Sequence, residues 1–223
     1  GASLRAVRPE AEVTASALVA GALLVRGAGD PRRLPGWAEG RFAVQELGAQ
    51  RIVDLVGARP GERVADLCCG HGTKSLALAA RVGEGGRVDA VDLYEEKLER
   101  LATERARLGL PPERVVLHAV DLQLGLGGLA PASFDRVLLD APCTGLGTLH
   151  RRPELALRLG PDDPARLAML QRPLLASAAR LVRPGGWLVY AICSPTRAEL
   201  APALERAPPT PGPGGDADGV HRL

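Results

Sequence analysis

The chain has 223 residues, 46% of them hydrophobic and 24% charged, with a formal net charge of +2. That length suffices for one domain with a buried core, and the composition excludes a disordered or fibrous class. No run approaches the ~18 apolar residues of a membrane span, and so small a positive charge permits a nucleic-acid partner without arguing for one.

Four cysteines, at 68, 69, 143 and 193, include no CxxC pair. With no secretory pattern at the N-terminus, free thiols in a reducing cytoplasm are expected, without a metal site. Basic residues are nearly all arginine. Lys74 and Lys97 are the only lysines, and Lys74 lies in a glycine loop.

In chain order, Glu12 to Leu24 is expected to form a short helix, followed by a Gly- and Pro-punctuated loop. Apolar spacing predicts an amphipathic helix over Phe42 to Val56. Arg63–Leu67 reads as a strand, then a glycine loop, then a helix from Ser75 to about Arg81. Arg87–Val91 is a second strand ending at Asp92. A Glu/Arg-rich helix follows from Tyr94 to Leu108. Arg114–Val120 is a third strand ending at Asp121, and Phe134–Leu139 a fourth ending at Asp140. A long helix spans Pro164 to Leu181 with Pro173 inside, and Trp187–Ile192 is the fifth strand. Such alternation predicts an α/β fold with a doubly wound, mostly parallel sheet. Residues 207–223 read as a Pro/Gly-rich, poorly ordered tail with no further strand.

Two strand ends carry unusual chemistry. The fourth runs into Asp140-Ala141-Pro142-Cys143-Thr144-Gly145, the fifth into Cys193-Ser194-Pro195. Ligands of open α/β sheets bind at the carboxyl ends of strands, so both thiols can face one pocket there. The loop after the first strand, Cys68-Cys69-Gly70-His71-Gly72-Thr73-Lys74, fits neither the dinucleotide fingerprint nor the P-loop. S-adenosyl-L-methionine asks less of such a loop, because it presents a carboxylate rather than phosphates to the helix start. Asp92 stands where an acceptor for its ribose hydroxyls belongs, and Asp121 could take the adenine amino group.

With these loops placed, the chain resembles the Fmu/Sun family of RNA cytosine-carbon-5 methyltransferases (16S rRNA methyltransferase B-like). The family's D-x-C-A-A-P-G-G-K-T is matched by Asp66 through Ser75. Its D-A-P-C-S-G-x-G…R-R-x-P-[DE] is matched by Asp140–Gly147 and Arg151-Arg152-Pro153-Glu154. Its Q…G-G-x-L-V-Y-x-T-C-S is matched by Gln171 and Gly185–Ser194, and its G-x-x-x-V-Q-[DE] by Gly40–Glu46. The resemblance implies a Rossmann-like class I methyltransferase fold. It implies Cys193 as nucleophile, Cys143 as the group aiding release, and Asp140 as the partner of the cytosine ring. Residues 68–74 with Asp92, Asp121 and Asp140 would hold the cofactor, and Arg151 and Arg152 would contact RNA phosphates. Ribosomal RNA is favoured over transfer RNA, and a monomer is expected, with no membrane association.

Three departures stand out. Ala-Ala-Pro becomes Cys69-Gly70-His71, with Thr73 for a glycine. Ile192 replaces the threonine before the nucleophile. Of the usual E-N-E only Glu199 remains. The expected organisation is an arm or remnant of an RNA-binding domain over 1–33, a methyltransferase domain over 34–206 lacking the family's last strands, and the tail. The competing reading is a catalytically impaired homologue that binds RNA as a ribosome-assembly factor.

Overall fold

A computed structural model of the chain describes residues 10–205 and, for the backbone alone, 221–222. The predicted alternation folds as a six-stranded sheet in the order β5-β4-β3-β6-β7-β8. The strands are β3 (Arg63–Leu67), β4 (Arg87–Asp92), β5 (Val115–Ala119), β6 (Phe134–Asp140), β7 (Val182–Ala191) and β8 (His221–Arg222). The first five are mutually parallel, and β8 pairs antiparallel with β7. The chain order reverses direction at β3, where both β4 and β6 flank one strand. Ligand crevices open at such a switch point.

Strand periodicity distributes the core over two faces. Val64, Val88, Leu138 and Val189 pack against α1 (Leu47–Val56) and α2 (Thr73–Val82). Ala65, Leu67, Val137 and Leu139 face the other way, against Leu174, Ala178 and Leu181 of α5 (Asp163–Leu181). Burial of a side chain such as Leu138 or Leu139 stabilises by roughly 1.5–3 kcal/mol. Helices α3 (Glu95–Arg107), the single turn α4 (Leu155–Arg158) and α6 (Arg197–Leu204) complete the layers. Pro173 is absorbed within α5. It removes the N–H that Met169 C=O would accept, and Met169 lies on the exposed side of the helix.

The structure corrects three expectations. Glu12 to Leu24 is no helix. It forms a hairpin of β1 (Glu12–Ala15) and β2 (Leu23–Arg26), with Val13 opposite Val25. β-Branched Val13 and Thr14 suit extended backbone, and the turn is closed by Ser16 Oγ, which accepts from Leu18 N and Val19 N at 3.1 Å each. The helix expected from Phe42 begins only at Leu47. Before it, Gln45 Nε2 donates to Thr73 O at 3.2 Å, holding the segment extended across the glycine loop. A further strand does exist at His221–Arg222, made by pairing with Val189 and Tyr190. The rest of the predicted tail, residues 206–220 and 223, lies outside the described residues, as do residues 1–9 of the predicted arm.

The segment between hairpin and sheet is fastened to the C-terminal end of α3. The Arg107 guanidinium stacks on Trp37 at 3.7 Å and donates to Phe42 O at 3.1 Å. Gly40, at φ +67°, lies so near that a Cβ would sit 2.0 Å from Arg107 O, so only glycine fits there.

Candidate active site

The carboxyl ends of five parallel strands meet at one edge. There a cleft of about 320 Å³ is lined by Cys68, Asp92, Asp121, Asp140 and Pro142, with Leu170 and Leu174 of α5 as its apolar wall. Asp92 ends β4 and is nearly buried. Its Oδ2 accepts from Gly70 N at 2.8 Å and its Oδ1 from Tyr94 N at 3.0 Å and Lys97 Nζ at 3.3 Å. Asp121 Oδ1 accepts from Gln123 N at 2.9 Å, closing a turn at the opposite wall.

The glycine loop acts through its backbone. Cys68 adopts φ +58°, a left-handed conformation uncommon for a residue with a side chain. Gly72, at φ +74°, is the N-cap of α2, and a Cβ there would meet Leu101 Cδ1 at 2.2 Å. Burial pushes the Cys68 thiol up to about 12 and raises Cys69 as well, so both stay protonated and act as small apolar groups. Of the predicted loop, Cys68 lines the cleft and Gly70 fixes Asp92. His71 is exposed and lies 3.2 Å from Arg100 Nη1, and Thr73 offers its carbonyl to Gln45.

Lys74 leaves this loop for the thiol side, where its Nζ donates to Asp140 Oδ2 at 2.7 Å. Burial works against the ammonium, but Asp140 outweighs it and the Lys74 pKa is raised. Cys143 Sγ and Cys193 Sγ, fifty residues apart in sequence, stand 3.0 Å from each other, both as free thiols. Cys193 N donates to Cys143 Sγ at 3.2 Å. The hydrogen bond from Cys143 pulls the Cys193 pKa below the ordinary thiol value, against burial and Asp140, with Lys74 acting in the same sense. Giving that hydrogen bond, together with burial, raises Cys143. Cys193 is the more exposed of the two. The two free thiols thus lie side by side with opposite tendencies, Cys193 lowered and Cys143 raised.

The predicted phosphate contacts Arg151 and Arg152 follow the Cys143 loop, after a 3₁₀ turn at Leu146–Thr148. Arg151 is paired with Glu46 at 2.7 Å and Arg152 with Glu154 at 3.1 Å, all four side chains about half exposed. Exposed pairs of this kind are worth at most about 1 kcal/mol and open readily to a stronger anion.

Sequence reasoning placed Asp66 and Glu199 in matched motifs but gave neither a role beneath the site. Asp66, fully buried, accepts from Ser75 Oγ at 2.5 Å through one oxygen, while Oδ1 has no partner. Glu199, also fully buried, gathers both thiol loops (below). Their signal was a charged residue inside an apolar run or helix face, which spacing alone reads as surface. Among the described residues no group of His, Cys, Asp or Glu could hold a metal ion, and no helix is long and apolar enough to cross a membrane.

A parallel sheet with its switch point at β3, an acid ending β4, and a cleft beside them fit the class I S-adenosylmethionine-dependent methyltransferase fold. The donor set fits that cofactor. Asp92 keeps carboxylate oxygens on the cleft wall, Asp121 faces it, and the apolar wall suits an adenine ring. The model of the family 16S rRNA methyltransferase RsmB/F matches residues 53–207, and the chain belongs to that family. A probable ribosomal RNA small subunit methyltransferase B from Synechocystis sp. is 39% identical over 176 residues, covering 78% of this chain and 39% of that protein. The solved structure of PH0851 superposes with a TM-score of 0.83 at 32% identity, over 96% of this chain and 50% of that one. NSun6 from Pyrococcus horikoshii with SFG gives 0.70 at 26% identity, over 79% and 44%. The chain therefore spans well under half the length of the curated relative.

Proposed function

We propose that this chain methylates carbon-5 of a cytosine in RNA, ribosomal RNA before transfer RNA, with residues 34–206 as the methyltransferase domain. The observation that carries the proposal is the pair of thiols 3.0 Å apart beside the Asp140–Lys74 ion pair. A methyltransferase acting on an already nucleophilic oxygen or nitrogen has no use for such a pair.

Carbon-5 of cytosine is a weak nucleophile. Addition of the Cys193 thiolate to carbon-6 makes the ring an enamine and so activates carbon-5. Asp140 hydrogen-bonds the ring at N3 and favours its protonated, electrophilic form, while Lys74 holds the carboxylate in place. S-adenosylmethionine supplies the methyl group as an electrophile. Asp92 would hold its ribose, Asp121 its adenine, and the 68–74 backbone its amino-acid end. Cys143 then assists loss of the carbon-5 proton, and elimination frees Cys193. The base must be flipped out to reach this edge. Arg151, released from Glu46, and Arg152 bind the flanking phosphates.

Expression of Cys143→Ala in cells tests this. A slower-migrating, RNase-sensitive species on a denaturing gel, absent from Cys143→Ala/Cys193→Ala, is expected, and sequencing the trapped RNA gives the substrate. A clean single mutant that still binds S-adenosylmethionine would remove the two-thiol mechanism and favour an RNA-binding assembly factor.

A further inference from the structure

Both thiol loops converge on one carboxylate that does not touch the cleft. Glu199, on α6, is fully buried. Its Oε1 accepts from Thr144 N at 2.8 Å and from Gln171 Nε2 at 3.4 Å. Its Oε2 accepts from Thr144 Oγ1 and Thr196 Oγ1, each at 2.7 Å, and from Ser194 Oγ. Thr144 directly follows Cys143, and Ser194 directly follows Cys193. Gln171 completes the frame by donating to Pro142 O at 2.9 Å, on the other side of Cys143. The backbone of the same helix is fixed by Tyr190 Oη, which donates to Glu199 O at 3.0 Å.

Placing a carboxylate in a core costs several kcal/mol unless donors surround it, and an apolar side chain would pack α6 more cheaply. Five donors crowd onto two oxygens that offer about four lone-pair sites, so neither oxygen is left unpaired. No neutral side chain of that size accepts as many. What the arrangement secures is the relative placement of two loops from different strands.

We propose that Glu199 is a positioning residue that sets the distance between Cys143 and Cys193 and so keeps Cys193 reactive. For catalysis this rests on the cytosine-methylation reading, but the thiol geometry can be read without RNA. The groups facing Cys193 are Cys143, Asp140 and Lys74. None of them is altered by substituting Glu199.

The test is Glu199→Gln, near-isosteric but with a donor in place of one acceptor. Cys193 alkylation by iodoacetamide is followed against pH and located by peptide mass spectrometry. Thermal unfolding and S-adenosylmethionine affinity by calorimetry are measured beside it. Expected are a folded protein with cofactor affinity within about twofold, and Cys193 alkylation at neutral pH slowed about tenfold with its midpoint moved up by about one pH unit. A folded variant with the wild-type alkylation profile overturns the proposal. Should Glu199→Gln not fold, Thr144→Val and Ser194→Ala each remove one donor. Each should shift the profile in the same direction, and unchanged profiles in both overturn the proposal. Shifted profiles in these variants, together with a Cys143→Ala protein that traps no RNA, would refute the catalytic reading alone.

Discussion

The two halves of the strand edge each rest on a fully buried carboxylate, and the two are treated oppositely. On the cofactor side Asp66 receives one hydrogen bond, from Ser75 Oγ, and its second oxygen has none. Burial raises its pKa to about 7. On the thiol side Glu199 receives five donors from four residues. The cofactor side is built from backbone: a left-handed Cys68, a glycine cap on α2, and amides aimed at Asp92. The thiol side is built from side chains that reach across fifty residues of sequence. A backbone cradle tolerates changed side chains, which is why Cys69, His71 and Thr73 can stand where the family has other residues. A side-chain frame tolerates few.

Four changes would break or sharpen this contrast. The largest effect is expected in stability at Asp66. Its folded pKa of about 7 lies above the unfolded value of 3.8, so the folded state binds the extra proton between them. Stability should therefore fall as pH rises through that window, by about 4 kcal/mol if no rearrangement intervenes. Asp66→Asn should abolish that share of the slope, as urea unfolding at pH 4.5 and 8 would register. An unchanged slope would mean that Asp66 is better satisfied than its single partner indicates.

Next comes Lys74→Ala, which leaves Asp140 without its ion pair and Cys193 without the nearby cation. Methyl transfer should fall about a hundredfold while cofactor affinity changes little, because Lys74 serves the thiol side. A large loss of cofactor affinity instead would return Lys74 to the glycine loop. Asp92→Ala removes the acceptor of Gly70 N and the proposed ribose partner together. S-adenosylmethionine binding should weaken about tenfold or more, by about 1.5–3 kcal/mol, with Cys193 alkylation unaltered. The smallest effect is expected at His71→Ala. Its exposed ring lies beside Arg100, and cofactor affinity should stay within about twofold. A tenfold loss there would show that the cradle does depend on side chains.

Much of the chemistry was legible along the chain. The acids ending β4 and β6 and the two thiols each followed an apolar strand-length run, and a parallel sheet brings all strand ends to one edge. The Glu12–Leu24 segment was misread because its short apolar stretch satisfies both periods. Pairing between Val13 and Val25 decided the matter, and cross-strand contact is not a local signal.

The sequence by itself determined the alternation of strands and helices, the carboxyl edge as the place of chemistry, and the identity of the thiols, because these depend on local period and on residues adjacent in the chain. Only the tertiary structure decided that Lys74 crosses from the glycine loop to Asp140, that Asp66 is left with one partner, and that Glu199 ties two loops together. Those facts depend on which side chains share a buried volume after the sheet has closed. A charge in that volume takes its meaning from donors supplied by other elements, and no spacing rule along the chain counts them.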